Sequence, residues 1–392
     1  MDKQYRLLIG ATFTAKGLEP YLSEKQDGIG GPVGFLPYNQ LLQTLLGQIP
    51  PCEHLLLMLR LSDLLRGVEL ADEHWHARIE ENLQLYTEAI DASRQHSGRQ
   101  CWLLLVPEAD DLSALRRKAC EQGAAQLRQL SGVRWLEWDE YVAQSGVSRH
   151  LDALSDKLAH IPFSADCHRS LAAFLVTHLG APEAVHDTAP APEPPSDNAL
   201  GRFLERLDLQ VSCRYLSHAQ EFAAAAKLSH TAATFHASGC KLTAEQLQAQ
   251  ATTKGKALIG INVSDRFGQY GFSGFLLLRQ ADQPLIEEFV LSCVVLGKQV
   301  EHCLLRALAL QARSKGCLRL GLAGQDLPGS QLWRWLEQLT VLAGERWLAD
   351  GAALYCTPQA WLEQLSATAS SPTMLARTEV SLPACCLGKN PC

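Results

Sequence analysis

Short, nearly continuous apolar runs alternate with longer amphipathic stretches over the first 180 residues. Runs at Tyr5–Ile9, Val33–Leu36, His54–Leu59, Cys101–Val106 and Val133–Leu136 predict strands that are covered on both faces. Apolar residues at helical spacing predict helices over Tyr38–Leu46, Ala77–His96, Asp111–Leu130 and Cys167–Leu179. Strands that alternate with long helices predict an α/β fold, a doubly wound parallel sheet of the flavodoxin-like kind.

The pattern changes after residue 198. A helix or strand is predicted at Leu207–Tyr215, and helices at Ala219–Lys227 and Ala244–Gln250. Strands follow at Ala257–Val263, Phe272–Leu278 and Leu285–Cys293, then a helix over Gly297–Ala312. A strand at Leu318–Leu322, a helix at Gln331–Ala343 and a strand at Ala352–Cys356 complete the series. A three-strand meander followed by helix, strand, helix and strand predicts an α+β mixed sheet. Residues 181–198, APEAVHDTAPAPEPPSDN, are proline-dense without apolar periodicity and read as a semi-stiff linker. The expected organisation is therefore a domain over 1–180, a linker over 181–198, a second domain over 199–365 and a loose tail over 366–392.

Composition narrows the classes. With 392 residues, 47% of them hydrophobic and 20% charged, the chain can fill two cores, and general disorder is excluded. A net charge of −7 and the lack of any Lys/Arg-rich run remove the electrostatic footprint of a nucleic-acid binder. No window of 18 apolar residues predicts a membrane span, and the opening MDKQYRLLIGATFT has no signal-peptide pattern, so a cytoplasmic location is expected. The thirteen cysteines are scattered without a CxxC pair, which predicts reduced thiols and no metal site. The tail cysteines Cys385, Cys386 and Cys392 could offer soft ligands, but a frayed tail is the simpler reading.

Common catalytic signatures are missing. No GxxxxGK[ST], HExxH or GxSxG is present. Gly28-Ile-Gly-Gly-Pro-Val-Gly places Val33 where a dinucleotide loop needs its third glycine, so it reads as a turn.

Two groups of segments do carry a resemblance. One comprises Ala11-Thr-Phe-Thr-Ala, Phe35-Leu-Pro-Tyr-Asn-Gln and Leu158-Ala-His-Ile-Pro-Phe-Ser. The other comprises Ser264-Asp-Arg-Phe-Gly-Gln-Tyr-Gly and Glu288-Phe-Val-Leu-Ser-Cys-Val-Val-Leu-Gly-Lys-Gln-Val-Glu. Together they resemble the FkbH-like proteins of polyketide and nonribosomal-peptide assembly lines. The resemblance implies an SGNH-hydrolase-like N-terminal domain and a C-terminal domain similar to the GNAT (acyl-CoA N-acyltransferase) fold. The haloacid-dehalogenase-type core of that family is missing, and the proline-rich segment stands in its place, so phosphatase chemistry is not expected. What the resemblance implies is an accessory acyltransferase-like protein acting on an acyl group tethered to an acyl or peptidyl carrier protein. No cofactor would be bound tightly; acyl-CoA or a phosphopantetheine arm would visit. The alternatives are a non-catalytic docking or scaffold protein for carrier proteins and an SGNH-type thioesterase.

The resemblance also places candidate residues. An SGNH hydrolase has serine after its first strand and an Asp–His pair near the domain end. Here Thr12 or Thr14 follows the strand, and Asp156 and His160 are spaced i, i+4. A β-branched hydroxyl is a stiff, hindered nucleophile, so Thr12 and His160 are expected to mark a vestigial cleft that does not hydrolyse simple esters. In the GNAT pattern, backbone N–H groups at a helix start bind pyrophosphate through Arg/Gln-x-x-Gly-x-Gly/Ala. Val294-Val-Leu-Gly-Lys-Gln retains Gly297 but has Gln299 where the second glycine is expected. Gly297, Lys298 and Gln299 are thus expected to anchor phosphate at a helix N-terminus. Asp265, Tyr270 and Cys293 are the catalytic candidates. For Asp265 the simpler reading is a tight hairpin with an ion pair. Cys293 is either a thiol activated by the following helix or a small buried hydrophobe. Glu288, within a strand run, reads as facing solvent, and His236 receives no role.

Overall fold

The apolar runs of the first half become five parallel strands in the computed structural model, which describes residues 4–23, 28–68, 70–95, 99–180, 199–232, 235–323, 335, 348–350, 353–384 and 386–387. The chain divides into two compact units, one of Met1–Arg66 with Leu70–Ala199, the other of Gly67–Glu69 with Leu200–Cys392. The expected linker at 181–198 lies outside the described residues.

In the first unit the strands are β1 (Tyr5–Ala11), β2 (Val33–Phe35), β3 (Cys52–Leu59), β4 (Gln100–Leu105) and β5 (Arg134–Leu136). Their order is β2-β1-β3-β4-β5, the doubly wound order the pattern predicts. Leu8 of β1 sits opposite Gly34 on one side and Leu55 on the other. The chain leaves β1 toward β2 and returns to β3 on the opposite side, so the strand order reverses there. A crevice therefore opens at the carboxyl ends of β1 and β3.

The helices of this unit are α1 (Glu19–Leu22), α2 (Leu41–Leu46), α3 (Trp75–Gln95), α4 (Ala114–Leu127), α5 (Trp138–Ser145), α6 (Ala153–Ala159) and α7 (Ala165–Leu179). Leu7, Ile9, Leu56, Met58 and Leu104 pack with Leu171 and Leu175 of α7 in one buried cluster. Leu8, Leu55, Leu57 and Leu103 alternate with them and are buried too. Both faces are covered, which is why these strands read as unbroken apolar runs.

The second unit holds helices α8 (Ala199–Glu205), α9 (Ala219–Thr231), α10 (Ala244–Thr252), α11 (Val300–Ser314), α12 (Pro358–Thr368) and α13 (Pro372–Arg377). Its strands are β6 (Gln210–Tyr215), β7 (Phe235–His236), β8 (Lys256–Asp265), β9 (Gly268–Arg279), β10 (Leu285–Leu291), β11 (Leu320–Ala323), β12 (Leu348–Asp350), β13 (Ala353–Cys356) and β14 (Glu379–Ser381). They form one mixed sheet in the order β12-β13-β11-β10-β9-β8-β6-β14, with β7 added to β10. The meander β8-β9-β10 is antiparallel, and β10 meets β11 in parallel. Phe222, Leu247, Leu258, Phe275 and Val290 pack together between α9, α10 and the sheet. On α11, Val300, Leu304, Leu305 and Leu308 are fully buried.

Two expectations need correcting. α11 starts at Val300, not Gly297, because Gly297 and Gln299 have φ of 78° and 60°. A helix cannot propagate through left-handed residues, so the turn finishes before the helix begins. The tail is not loose over 366–384. β14 pairs in parallel with β6, and Met374, Leu375, Cys386 and Leu387 are buried. β14 thereby pairs the edge of β6 that would otherwise be open. The helix expected at Gln331–Ala343 falls outside the described residues apart from Trp335. No described helix is long and apolar enough to cross a membrane, and among the described residues no group of three His, Cys, Asp or Glu could hold a metal ion.

Candidate functional site

The crevice of the first unit is built on a spacing, Arg60-x-x-Asp63-x-x-Arg66, that begins where β3 ends and winds into a short 3-10 turn, Leu61–Leu65. Three-residue spacing stacks the side chains on one face of that turn. Arg60 bonds Asp63 through Nε and Nη2 at 3.0 and 2.8 Å. It also bonds both oxygens of Asp156, at 2.6 and 2.8 Å. Its side chain is 2% exposed. Arg66 adds contacts to Asp63 and, at 3.3 Å, to Asp156. Two guanidinium groups and two carboxylates therefore neutralise one another, and the pairing holds Asp156 below the usual carboxylate range against the effect of burial.

Thr12 and His160 both belong to this network, but not as nucleophile and base. The Thr12 hydroxyl accepts the Arg60 N–H at 3.0 Å and points its own proton at the Arg60 carbonyl or Asp63, each at 3.3 Å. His160 caps α6 in a left-handed conformation and stacks on Tyr38 at 5.8 Å. Its Nδ1 faces Nη1 of Arg66. A guanidinium can only donate, so Nδ1 accepts and the ring proton resides on Nε2. In a hydrolytic triad the orienting group sits on Nδ1–H and leaves Nε2 free to take a proton. Here that polarity is inverted. Among the described residues, His160 Nδ1 is therefore turned to Arg66 and not to a carboxylate that would orient it as a base toward Thr12.

A pH dependence follows. Burial and the neighbouring Arg66 hold His160 below the ordinary histidine range. Burial also lowers His168. The unfolded chain therefore takes up these protons first, and stability is complete above the ordinary histidine pKa and falls as pH drops below it. Asp156 repeats the trend at lower pH, below the ordinary carboxylate value. Chemical denaturation at a series of pH values is expected to show the first unit weakening between about pH 7 and 5. His160→Gln is expected to flatten that part of the curve, and an unchanged slope would remove His160 from the account.

In the second unit, Asp265 ends β8 and Gly268 begins β9, so Arg266 and Phe267 form a two-residue hairpin. Asp265 Oδ1 accepts the Phe267 N–H at 2.8 Å. Lys298 Nζ bonds Asp265 and the Tyr270 hydroxyl, both at 2.6 Å. The hairpin-with-ion-pair reading of Asp265 is thus the observed one, with Lys298 as partner. Lys298 itself is 9% exposed, and burial lowers its pKa although Asp265 opposes the shift. Lys298 ties the hairpin to the start of α11 through Asp265 and Tyr270. Gln299 is also turned inward, with Oε1 unpartnered among the described residues. Gly297 supplies the left-handed turn that permits this. Cys293 heads a 3-10 turn, Cys293–Val295, seven residues before α11.

Removing Lys298 tests this assignment. Lys298→Ala leaves Asp265 buried with only Tyr270 and the Phe267 N–H. A thermal or denaturant melt is expected to show a loss of about 2–3 kcal/mol, the scale of a buried charge that keeps part of its hydrogen bonding. A melt indistinguishable from the parent would place Lys298 in solvent after all.

Glu288 is a further correction. The β9–β10 register slips between Ile286 and Glu288. The bulged Glu287 turns out to Lys256 at 2.6 Å and Arg279 at 3.4 Å. Glu288 turns in and is 3% exposed. Ser238 donates its hydroxyl to Oε2 and its N–H to Oε1, the latter at 3.1 Å. His236 Nε2 lies 3.5 Å from Oε2 and is itself buried. β7 positions this group by pairing His236 with Val290 and Phe235 with Leu291. A single inserted residue moves a side chain to the opposite face, and simple alternation does not reveal it.

No protein-family model and no curated protein matches the chain. Among solved structures it is similar to the N-terminal part of a Bacteroides fragilis protein containing a phosphatase domain, complexed with Mg (8% identity, TM-score 0.32, 43% of this chain and 50% of that one). It is also similar to a fungal multi-domain GH3 β-N-acetylglucosaminidase with a GCN5-related glucosamine N-acetyltransferase region (11% identity, TM-score 0.26, 90% of this chain and 34% of that one). A third is N-acetylglutamate synthase from Neisseria gonorrhoeae, complexed with coenzyme A and N-acetyl-glutamate (12% identity, TM-score 0.23, 89% of this chain and 94% of that one). The chain thus spans half of the first and about a third of the second. Scores this low carry no argument about function.

Proposed function

We propose that the protein is an acyltransferase-like accessory protein that acts on an acyl group tethered to an acyl or peptidyl carrier protein, in the manner its FkbH-like segments suggest for polyketide or nonribosomal-peptide assembly. The observation that carries the proposal is the buried Glu288 carboxylate, held by Ser238 and flanked by His236 at the β10 bulge. A carboxylate held in place by a hydroxyl and an N–H, with an imidazole alongside, has the geometry of a positioned proton acceptor. An acceptor amine or hydroxyl attacks the thioester carbonyl. The new C–N or C–O bond forms, the C–S bond breaks, and the proton passes through Glu288 to the departing thiolate. The first unit serves as a binding module without a hydrolytic role, in keeping with its neutralised crevice.

Phosphate recognition is not part of this reading, because Lys298 is committed to Asp265 and Tyr270. The second reading, a docking or scaffold protein without catalysis, is favoured by that same sequestration. The two separate on whether a loaded carrier loses its acyl group to an acceptor in the presence of the protein, read by intact mass. Transfer supports catalysis. Binding of the carrier without transfer supports docking.

A further inference from the structure

A second concavity lies in the first unit, at the carboxyl ends of β4 and β5, where open parallel sheets hold ligands. It encloses about 240 Å³ between the end of β4, α4 and the start of α5. Leu61, Leu105, Val106 and Ala124 give it apolar walls, and Trp138 adds a large apolar surface. Its polar groups are mostly of one sign. At depth, Glu108 is fixed by the N–H groups of Leu61 at 2.9 Å and Ser62 at 3.3 Å. Glu121 and Asp139 stand at the mouth, exposed, with no ion-pair partner among the described residues. Arg128, the cation among the lining residues, is neutralised by a two-pronged pairing with Glu137 at 2.8 and 2.7 Å.

We propose that this cleft binds a small organic ammonium group, its charge held by Glu108, Glu121 and Asp139 and its apolar body lying on Leu61, Leu105 and Trp138. The reasoning is complementarity. Among the described residues, the carboxylates of Glu108, Glu121 and Asp139 outnumber the one cation that lines the cleft, Arg128, which is already paired with Glu137, so an anionic arm or acyl acid is a poor occupant. Apolar walls of this size reject a bare hydrated metal ion but receive a short hydrocarbon. Burial holds the Glu108 carboxyl above its ordinary range, and a cation docked beside it relieves that cost. This inference is independent of the transfer chemistry at Glu288.

The test is calorimetry or ligand-observed NMR with phenethylammonium, using 2-phenylethanol and 3-phenylpropionate as neutral and anionic probes of like shape. The full chain is expected to bind phenethylammonium saturably, at least tenfold more tightly than the alcohol, and not to bind the carboxylate. Glu108→Gln is expected to weaken binding at least tenfold. Because Glu108 also supports the 3-10 turn, the double variant Glu121→Gln/Asp139→Asn, altering exposed groups only, is expected to weaken it three- to tenfold with an unchanged melt. Raising salt is expected to reduce the affinity of the ammonium and not of the alcohol. No saturable binding, equal binding of ammonium and alcohol, or a double variant that binds like the parent would each overturn the proposal.

Discussion

Arg60→Met is expected to destabilise the first unit by about 3–5 kcal/mol, the usual consequence of removing one partner from a buried ion pair. The side chain is 2% exposed and bridges two carboxylates with four hydrogen bonds. Methionine fills similar volume but leaves Asp63 with only Arg66 and the Thr12 hydroxyl, and Asp156 with a single 3.3 Å contact from Arg66. Lysine would not restore the site, because a point charge cannot span two carboxylates in fixed planes. Native-state hydrogen exchange at the β1 and β3 amides reads the change in the unit that carries it. A second substitution discriminates charge from packing. In Arg60→Met/Asp156→Asn the loss is expected to shrink, because one uncompensated charge has gone. Equal losses in the single and double variants would mean that Arg60 contributes packing alone.

The second large effect concerns chemistry. Glu288→Gln keeps size and hydrogen-bonding shape but removes the proton acceptor. Acyl transfer is expected to fall by about 10²–10⁴-fold, the range of a lost general base. Binding of the loaded carrier is expected to persist, since nothing at the surface changes. Glu287→Gln serves as the control: one residue away, it faces Lys256 and Arg279 across the bulge. It is expected to leave transfer unchanged.

Much of the scaffold is legible in the sequence, for physical reasons that particular residues illustrate. Leu55, Leu56 and Leu57 are all buried, so β3 declares itself as an unbroken apolar run. The helices over 75–95, 114–127 and 165–179 are long enough for their period to outweigh local noise. The sites are less legible. Arg60, Asp63 and Arg66 stand in plain i, i+3 spacing, but only the fold brings Asp156 to them from 96 residues away. Lys298 and Asp265 are separated by 33 residues, and a lysine beside a glycine reads as exposed until the hairpin covers it. Glu288 is hidden by the bulge, which breaks the two-residue period at that point. β7 has two residues, too few for any periodicity, although it places His236.

The proposed role of the second unit is to transfer a tethered acyl group with Glu288 as proton acceptor. Its most direct test is intact-mass spectrometry of an acyl-loaded carrier protein incubated with an amine or hydroxyl acceptor, with either the parent chain or Glu288→Gln. The carrier is expected to return to its free-thiol mass with the parent chain, the acceptor to gain the acyl mass, and Glu288→Gln to leave the carrier loaded over the same interval. A carrier that stays loaded with the parent chain, or is unloaded equally fast by both, would contradict it.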